Sequence, residues 1–174
     1  MAQRERGDAR PLIQRIIVSV LFALVALLAV IGWVHTPTKP EVFQLTHVAC
    51  QFLEPERGID HGFERRSPAD CRRVNARTSR ERLRSSRVFK LEAGRYTIRV
   101  TNKDVAANLG FWLRNEGYDF ANPFDVMHRT SIWTDGATEG DTVAVTRKLE
   151  PGTYVYSGPK NPTPKYRLVV EKAE

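Results

Sequence analysis

The chain has 174 residues, with 27 Lys or Arg against 20 Asp or Glu, so its formal net charge is +7. About 135 residues remain outside the apolar N-terminal stretch and its flanks, enough for one domain with its own core. The positive balance indicates an anionic partner. Because the N-terminal stretch predicts export of this domain, we expect anionic lipid or an acidic protein and exclude nucleic acid.

Residues 1–10 form a short polar tail, and residues 11–35 are predicted to be a membrane anchor. The anchor is centred on Ile16–Val34, which contains no charged residue. A helix of this length reaches about 28 Å, close to the ~30 Å hydrocarbon thickness of a bilayer. A cleaved signal peptide would have a shorter apolar region and a small-x-small site, which residues 32–37 lack.

The charges that flank the span predict its orientation. Four arginines precede it, whereas Lys39 is the only cation in the fifteen residues that follow. Since excess Lys and Arg stay in the cytoplasm, we expect a single-pass protein of the plasma (inner) membrane with a cytoplasmic N-terminus. The C-terminal domain is then periplasmic or otherwise extracytoplasmic.

Small residues recur along the predicted span. Small side chains let transmembrane helices approach closely, so one hypothesis is that this helix packs against a larger membrane subunit. The alternative is that alanine is tolerated anywhere in a span. The predicted packing residues are Ser19, Ala23, Ala26, Ala29 and Gly32.

Residues 36–87 are predicted to be an extended stalk followed by an insertion. Pro37 and Pro40 prevent the helix from continuing. Residues 41–48 alternate loosely and are rich in strand formers, which indicates a first strand or an extended packing segment.

The two cysteines, Cys50 and Cys71, both follow the span. In an oxidising compartment such a pair is predicted to form a disulfide, which the chain-entropy model values at about 3 kcal/mol. The alternative is a metal site with His47, His61 or both, although no standard zinc or haem motif accompanies them.

A helix start is predicted at Ser67–Asp70, with Ser67 as N-cap and Pro68 at the first helical position. The segment that follows has few apolar residues and many arginines. Arginine without lysine favours bidentate pairing with carboxylates or phosphates, so the segment is either a docking patch or a solvated insertion. The nine arginines of this segment are Arg65, Arg66, Arg72, Arg73, Arg77, Arg80, Arg82, Arg84 and Arg87.

From residue 88 to residue 174 the pattern predicts a mainly β domain. Short runs with period-two alternation are separated by turns such as Asp135–Gly136, which is typical of a sandwich or barrel architecture. A longer loop is predicted between Asn115 and Met127. The predicted strands are 88–91, 95–100, 109–114, 142–146, 153–156 and 166–170.

The segments Leu91–Leu113 and Gly140–Val170 resemble the cupredoxin-like family. They contain "GRYTIRVTNKD", "LGFWL" and "GDTVAVTRKLEPGTYVYSGPKNPTPKYRLVV". The resemblance implies a cupredoxin-like Greek-key β-sandwich that follows the single transmembrane helix.

At the positions where the family has its copper ligands, this sequence has residues of other types. The first histidine position falls at Leu109, beside Asn108, and the cysteine position falls at Ser157 or Gly158. The loop of residues 159–165 contains no Cys, His or Met. A blue-copper centre needs two histidines and a cysteine, so we expect no metal cofactor.

Other possible sites are weak. Met127 and His128 are adjacent, and the most economical interpretation is a surface histidine beside a packed methionine. The acidic residues Asp135, Glu139 and Asp141 could be proposed for calcium, but they are typical of turns. No nucleophile motif or phosphate loop is present, and we expect no enzymatic activity.

The leading hypothesis is a non-catalytic accessory subunit of a membrane-bound electron-transfer complex, respiratory or photosynthetic. Its partners would be integral membrane subunits and lipid. We expect contacts at the end of the sandwich where the metal would lie, through loop residues Tyr118, Phe120, Phe124, Pro162 and Pro164. One alternative is a copper-handling protein or electron carrier with atypical ligands. Another is a free-standing envelope protein that binds headgroups or cell-wall polymer through its arginines.

Overall fold

The computed structural model describes Arg15 and residues 18–27 and 39–173, and divides the chain into two compact units, Met1–Lys39 and Pro40–Glu174. In the first unit, residues 18–27 are helical and their side chains are exposed. Within the described residues, no helix combines the length and apolar character that a bilayer crossing requires. Much of the predicted span, including Ala29 and Gly32, lies outside the described residues, as does the tail.

The second unit is a sandwich of two β-sheets. Its strands are β1 (Glu41–Val48), β2 (Gln51–Phe52), β3 (Phe89–Glu92), β4 (Gly94–Asn102), β5 (Leu109–Asn115), β6 (Ser131–Ala137), β7 (Thr142–Leu149), β8 (Gly152–Ser157) and β9 (Tyr166–Glu171). One sheet has the strand order β2-β1-β4-β7 and the other has the order β3-β9-β8-β5-β6. The mainly β sandwich predicted from the sequence is therefore confirmed.

Period-two alternation directs the apolar side chains of each strand into the space between the sheets. In β4, Tyr96, Ile98 and Val100 are buried, while Arg95 and Arg99, at alternate positions, are exposed. Tyr154 and Tyr156 of β8 enter the same core from the other sheet. The core is therefore continuous from sheet to sheet.

The structure begins the sandwich near residue 40 rather than at residue 88. β1 lies inside the four-stranded sheet, where it pairs in parallel with β4 and in antiparallel with β2. Its Phe43 and Leu45 are part of the main core. The predicted stalk and insertion of residues 36–87 thus include two strands of the domain, because the pairing partner of β1 is about fifty residues away in sequence and leaves no local signal.

One strand, β6, was missed by the sequence pattern. The Asp135–Gly136 pair that predicts a tight turn lies inside β6, which pairs in antiparallel with β5 across a register shift between Leu109 and Phe111. Gly136 has φ +100°, so it allows the irregular backbone that this edge strand adopts.

The sandwich has two ends. We call the end at which the chain enters β1 the proximal end; the β3–β4, β5–β6 and β7–β8 connections also lie there. The opposite, distal end holds the β1–β2, β4–β5, β6–β7 and β8–β9 connections. The short helix α2 (Pro123–His128) belongs to the β5–β6 connection.

The helix α1 (Pro68–Ser85) starts as predicted. The Asp70 carboxylate accepts a hydrogen bond from the Ser67 backbone N–H at 2.6 Å, which satisfies one of the free N–H groups at the helix start. The predicted disulfide between Cys50 and Cys71 is confirmed, and it joins the β1–β2 turn to the first turns of α1.

The face of α1 that packs on the sandwich is polar. Cys71, Asn75, Thr78 and Arg82 follow one another at spacings of three or four residues and so share one side of the helix. Asn75 donates to the Pro162 carbonyl at 2.6 Å, and Arg82 Nη1 donates to Asn75 Oδ1 at 2.7 Å. Polar contacts and the disulfide therefore attach α1 to the sandwich, together with the apolar side chain of Leu83, which packs against the core.

The central contact is an ion pair between Arg82 and Glu56, both almost fully buried. Arg82 Nη2 lies 2.6 Å from Glu56 Oε1, and Nε lies 3.0 Å from both carboxylate oxygens. His61 Nε2 lies 2.7 Å from Glu56 Oε2, and the Tyr166 hydroxyl donates to Oε1. Burial raises the pKa of Tyr166, so this hydroxyl stays protonated and remains a donor.

Arg82→Ala is expected to destabilise the domain by about 3–5 kcal/mol, because it leaves the Glu56 carboxylate buried without its main counter-charge. The measurement is chemical unfolding of the full chain in detergent, followed by near-ultraviolet circular dichroism. Arg80→Ala, an exposed arginine of the same helix, is the matched control and should leave the midpoint unchanged. Equal effects of the two substitutions would contradict the prediction.

Candidate functional site

At the distal end, the β8–β9 connection is anchored by Asn161, which is fully buried. Its Oδ1 accepts from the Cys50 backbone N–H at 3.0 Å, and its Nδ2 donates to the Val48 carbonyl at 2.8 Å. These two bonds orient the amide. The same Nδ2 lies 3.0 Å from Nδ1 of His47, the penultimate residue of β1.

This orientation determines the state of the His47 ring. Because Asn161 Nδ2 is a donor, Nδ1 of His47 must accept, and the neutral ring carries its hydrogen on Nε2. A second proton on Nδ1 would place two donors against each other. Burial lowers the pKa of His47 to about 3, an effect that the Gly110 backbone opposes and the charge of Arg65 reinforces.

The His47 ring fills the space beside Gly158. A Cβ atom built on Gly158 would overlap Cε1 of His47 and would lie 2.9 Å from its Nε2 and 2.7 Å from the Asn161 carbonyl oxygen. Gly158 is one of the two positions at which the family resemblance places the copper-ligating cysteine. A cysteine side chain at this position has no room while the His47 ring occupies its place.

The other family positions also do not fit copper. Leu109 is fully buried and packs with Val105 and Ala137 in a small apolar cluster. Ser157 pairs with Trp112 at the end of β8. Among the described residues there is no group of three or more His, Cys, Asp or Glu that could hold a metal ion. The donor set of a blue-copper centre therefore cannot be assembled from these side chains.

The remaining metal candidates have other contacts. Cys50 is in the disulfide, so the proposed site of Cys50 with His47 or His61 is wrong. Met127 and His128 are both exposed on α2, so the expectation of a packed methionine at Met127 is wrong. Asp135 pairs with Lys160 at 2.6 Å, and this hydrogen bond lowers the pKa of Asp135.

The two other calcium candidates lie in the β6–β7 connection, where both are exposed. Asp141 accepts from the Thr138 hydroxyl, which is the role that acidic residues take in turns. Glu139 lies beside it.

The predicted arginine patch is largely exposed on the outer face of α1. Arg73, Arg77, Arg80 and Arg84 recur at helical spacing and form one outward stripe. Arg73 pairs with Asp70, and Arg84 with Glu81. Arg66 and Arg72 are also exposed, so the patch has several cations directed at solvent.

Three of the nine arginines act within the domain. Arg82 is only 6% exposed and pairs with Glu56, so its assignment to a docking patch is corrected: it attaches α1 to the sandwich. Arg65 is half-buried and donates to the Lys160 carbonyl at 3.0 Å. Arg87 lies over the Phe89 ring at 4.8 Å.

A groove of about 410 Å³ is lined by residues from two of the predicted sites, the arginine patch and the loop contacts. One wall is α1, with Arg72, and the other is the β8–β9 connection, with Pro162 and Pro164. The distal end therefore has an apolar groove with cations at its margin.

The aromatic loop residues lie elsewhere. Tyr118, Phe120 and Phe124 belong to the β5–β6 connection, at the proximal end, because β5 runs from the distal end to the proximal end. The expectation that they share one end with Pro162 and Pro164 is corrected. The β8–β9 connection is rich in proline and the β5–β6 connection is rich in aromatic residues, and only the strand order shows that they are on opposite ends.

The sequence pattern predicts neither of the buried pairs His47–Asn161 and Glu56–Arg82. It indicates a metal ligand at His47 and a surface cation at Arg82. The partners are 114 and 26 residues apart. The one available signal was the position of Arg82 on the same helical side as Cys71, the residue that joins α1 to the sandwich.

No known family profile matches the chain, and no curated protein matches it. Among solved structures, it is similar to auracyanin B (17% identity, TM-score 0.46, covering 78% of this chain and 93% of that chain). It is also similar to auracyanin A, a blue copper protein of Chloroflexus aurantiacus (17%, 0.46, 76% and 100%), and to amicyanin of Paracoccus versutus (12%, 0.38, 79% and 87%). These structural neighbours are cupredoxins, the family that the sequence resembles, and the likeness concerns the fold alone.

Folding should become less favourable as pH falls, because His47 binds a proton readily only when unfolded. Above pH ~6.5 the ring is neutral in both states and does not reduce the free energy of unfolding. As pH falls from there towards 3, the free energy of unfolding decreases by about 1.4 kcal/mol per pH unit. His47→Gln should flatten the dependence of unfolding free energy on pH between 7 and 5, while the exposed His128→Gln should retain it. An unchanged slope in His47→Gln would refute the assignment.

Gly158→Ala is expected to destabilise the domain by about 1–3 kcal/mol through overpacking. Gly94→Ala is the matched control, since the nearest atom to its new Cβ is 3.7 Å away. In a His47→Ala background, Gly158→Ala should destabilise the domain less, because the imidazole ring that its new Cβ would overlap is absent. A double-mutant cycle measured by chemical unfolding checks this coupling, and strict additivity would contradict it.

Proposed function

We propose that this chain is a membrane-anchored, non-catalytic accessory subunit of an electron-transfer complex, in which its metal-free cupredoxin-like domain docks on other subunits. The observation that supports this most is the packing of the distal end. The core is closely packed by His47, Asn161 and Gly158 at the end where the family resemblance places copper ligands. Such an end offers a surface and no redox centre.

The anchor is supported by the sequence and by the exposed helix. Residues 16–34 are long enough to span a bilayer and contain no charge. In residues 18–27, apolar side chains are exposed around the helix, with Phe22 at 76% and Leu27 at 58%. A helix that is apolar all round is suited to lipid or to the interior of a membrane assembly.

The docking surface is proposed to be the outer face of α1 with the adjacent groove. Arg72, Arg77 and Arg80 are exposed and form no ion pair with another described residue. Arginine recognises carboxylates in bidentate geometry, so an acidic surface of a partner subunit fits this face. The choice of an electron-transfer complex, respiratory or photosynthetic, rests on the family resemblance.

The test is extraction of the host membrane in mild detergent, followed by native electrophoresis. The wild-type chain should migrate with a large complex. A charge-reversed variant, with Arg72, Arg77 and Arg80 changed to Glu, should be lost from that complex. The matched control reverses three exposed arginines of the sheet, Arg95, Arg99 and Arg147, and should remain bound.

Migration of the wild-type chain alone would contradict the subunit proposal and favour a free-standing envelope protein. Metal analysis of the purified chain tests the other alternative. Stoichiometric copper would contradict the proposal and favour a metal-handling protein with atypical ligands.

A further inference from the structure

The helix α2 exposes its apolar side chains and buries a charged one, which is the reverse of an ordinary surface helix. Its apolar residues Phe124, Val126 and Met127 are 62%, 54% and 72% exposed, while its one buried side chain is Asp125. A surface helix normally turns its apolar side inward and its charges outward. Here the loop directs apolar groups to the exterior.

Polar contacts hold the loop in this arrangement. The Asp125 carboxylate accepts from the Asp119 backbone N–H at 2.8 Å and from Arg129 Nη1 at 3.2 Å. Asn122 caps α2 by accepting from the Phe124 N–H at 3.0 Å, and Asn115 accepts from the Thr130 N–H at 2.6 Å. The outward apolar side chains are thus presented by a loop with a defined structure.

The exposed groups continue beyond α2. Phe120 is 62% exposed and stacks on Trp112 with ring centroids 5.0 Å apart, and Trp133 of β6 is 51% exposed. We call Phe120, Phe124, Val126, Met127 and Trp133 the proximal apolar surface. A concentration of large apolar groups of this kind marks a contact with a membrane or a partner.

The position of this surface favours a membrane. It lies at the proximal end, where β1 begins at Glu41. Only residues 35–39 separate the predicted span from Pro40, and five residues reach at most about 18 Å. A bilayer has headgroup layers that extend several ångströms beyond its hydrocarbon core, so the tether keeps the proximal end within reach of them.

The composition of the surface fits the same location. Trp and other aromatic side chains are favoured at the boundary between headgroups and acyl chains. Two pairs of nearby charges neutralise each other, Arg129 with Asp125 and Arg167 with Glu116 at 3.0 Å, and the remaining acidic side chain of the β5–β6 connection is the exposed Asp119. Attraction would therefore come from apolar burial and would not require anionic lipid.

We propose that the proximal apolar surface inserts into the headgroup region of the bilayer and forms a second membrane contact beside the anchor. This proposal rests on the anchor in the proposed function but not on the identity of the complex. It assigns opposite tasks to the two ends of the sandwich: the proximal end binds lipid and the distal end faces the partner.

The experiment uses the full chain reconstituted in phosphatidylcholine vesicles whose acyl chains are brominated near the headgroup. Of the three tryptophans, Trp33 belongs to the predicted span, so Trp33→Phe leaves Trp112 and Trp133 as reporters. Brominated lipid should quench this variant roughly twofold, as expected for side chains at the headgroup boundary. Adding Phe124→Ser and Met127→Ser should abolish most of the quenching.

The matched control changes Ile59 and Val88 to Ser, two exposed apolar residues outside the β5–β6 connection, and should keep the quenching. The chain that retains Trp33 reports on the anchor independently. If that chain is quenched while Trp33→Phe is not, the anchor is inserted but the surface is outside the lipid, and the proposal is overturned.

Two other outcomes also overturn it. If Trp133 is shielded from aqueous quencher only in the intact complex and not in vesicles, a partner subunit covers the surface. If neither chain is quenched, the anchor itself is absent from the bilayer, and the proposed function fails with it. If the chain does not migrate with a large complex but brominated lipid still quenches its fluorescence, only the subunit proposal fails.

Discussion

The buried ion pair between Arg82 and Glu56 is the contact on which the arrangement of the domain depends. It attaches α1 to the sandwich through a polar face, while the disulfide at Cys71 holds the start of the helix. The inner face of α1 makes these polar contacts and packs Leu83 against the core, while its outer face carries exposed arginines. A buried pair of this kind is costly to break and gives one defined position for the helix.

At the distal end, a buried imidazole fills the side-chain space of Gly158, one of the positions at which the family resemblance places a copper-ligating cysteine. His47 and Asn161 share a hydrogen bond, and the imidazole packs against Gly158. The space where the family resemblance places a thiolate is taken by a ring that burial keeps neutral. This part of the distal end is therefore filled by packed side chains.

Much of the fold was predictable because it depends on local patterns. Period-two alternation located strands such as β4 and β9, and the Ser67–Asp70 capping residues located the start of α1. The disulfide followed from two cysteines in a chain predicted to be exported. β6 was missed because its Asp135–Gly136 pair is typical of a turn, and β1 was excluded from the domain because its parallel partner is distant in sequence. The proposed anchor and partners stay predictions.

The sequence by itself determined the β-sandwich class, the resemblance to cupredoxins, the absence of the usual copper ligands and the excess of arginine. Only the tertiary structure decided which arginine is buried and which face of α1 is exposed. It also decided that the aromatic loop and the proline loop lie at opposite ends. The physical reason is that composition and periodicity act over a few residues, whereas burial and position depend on the order in which distant strands pair.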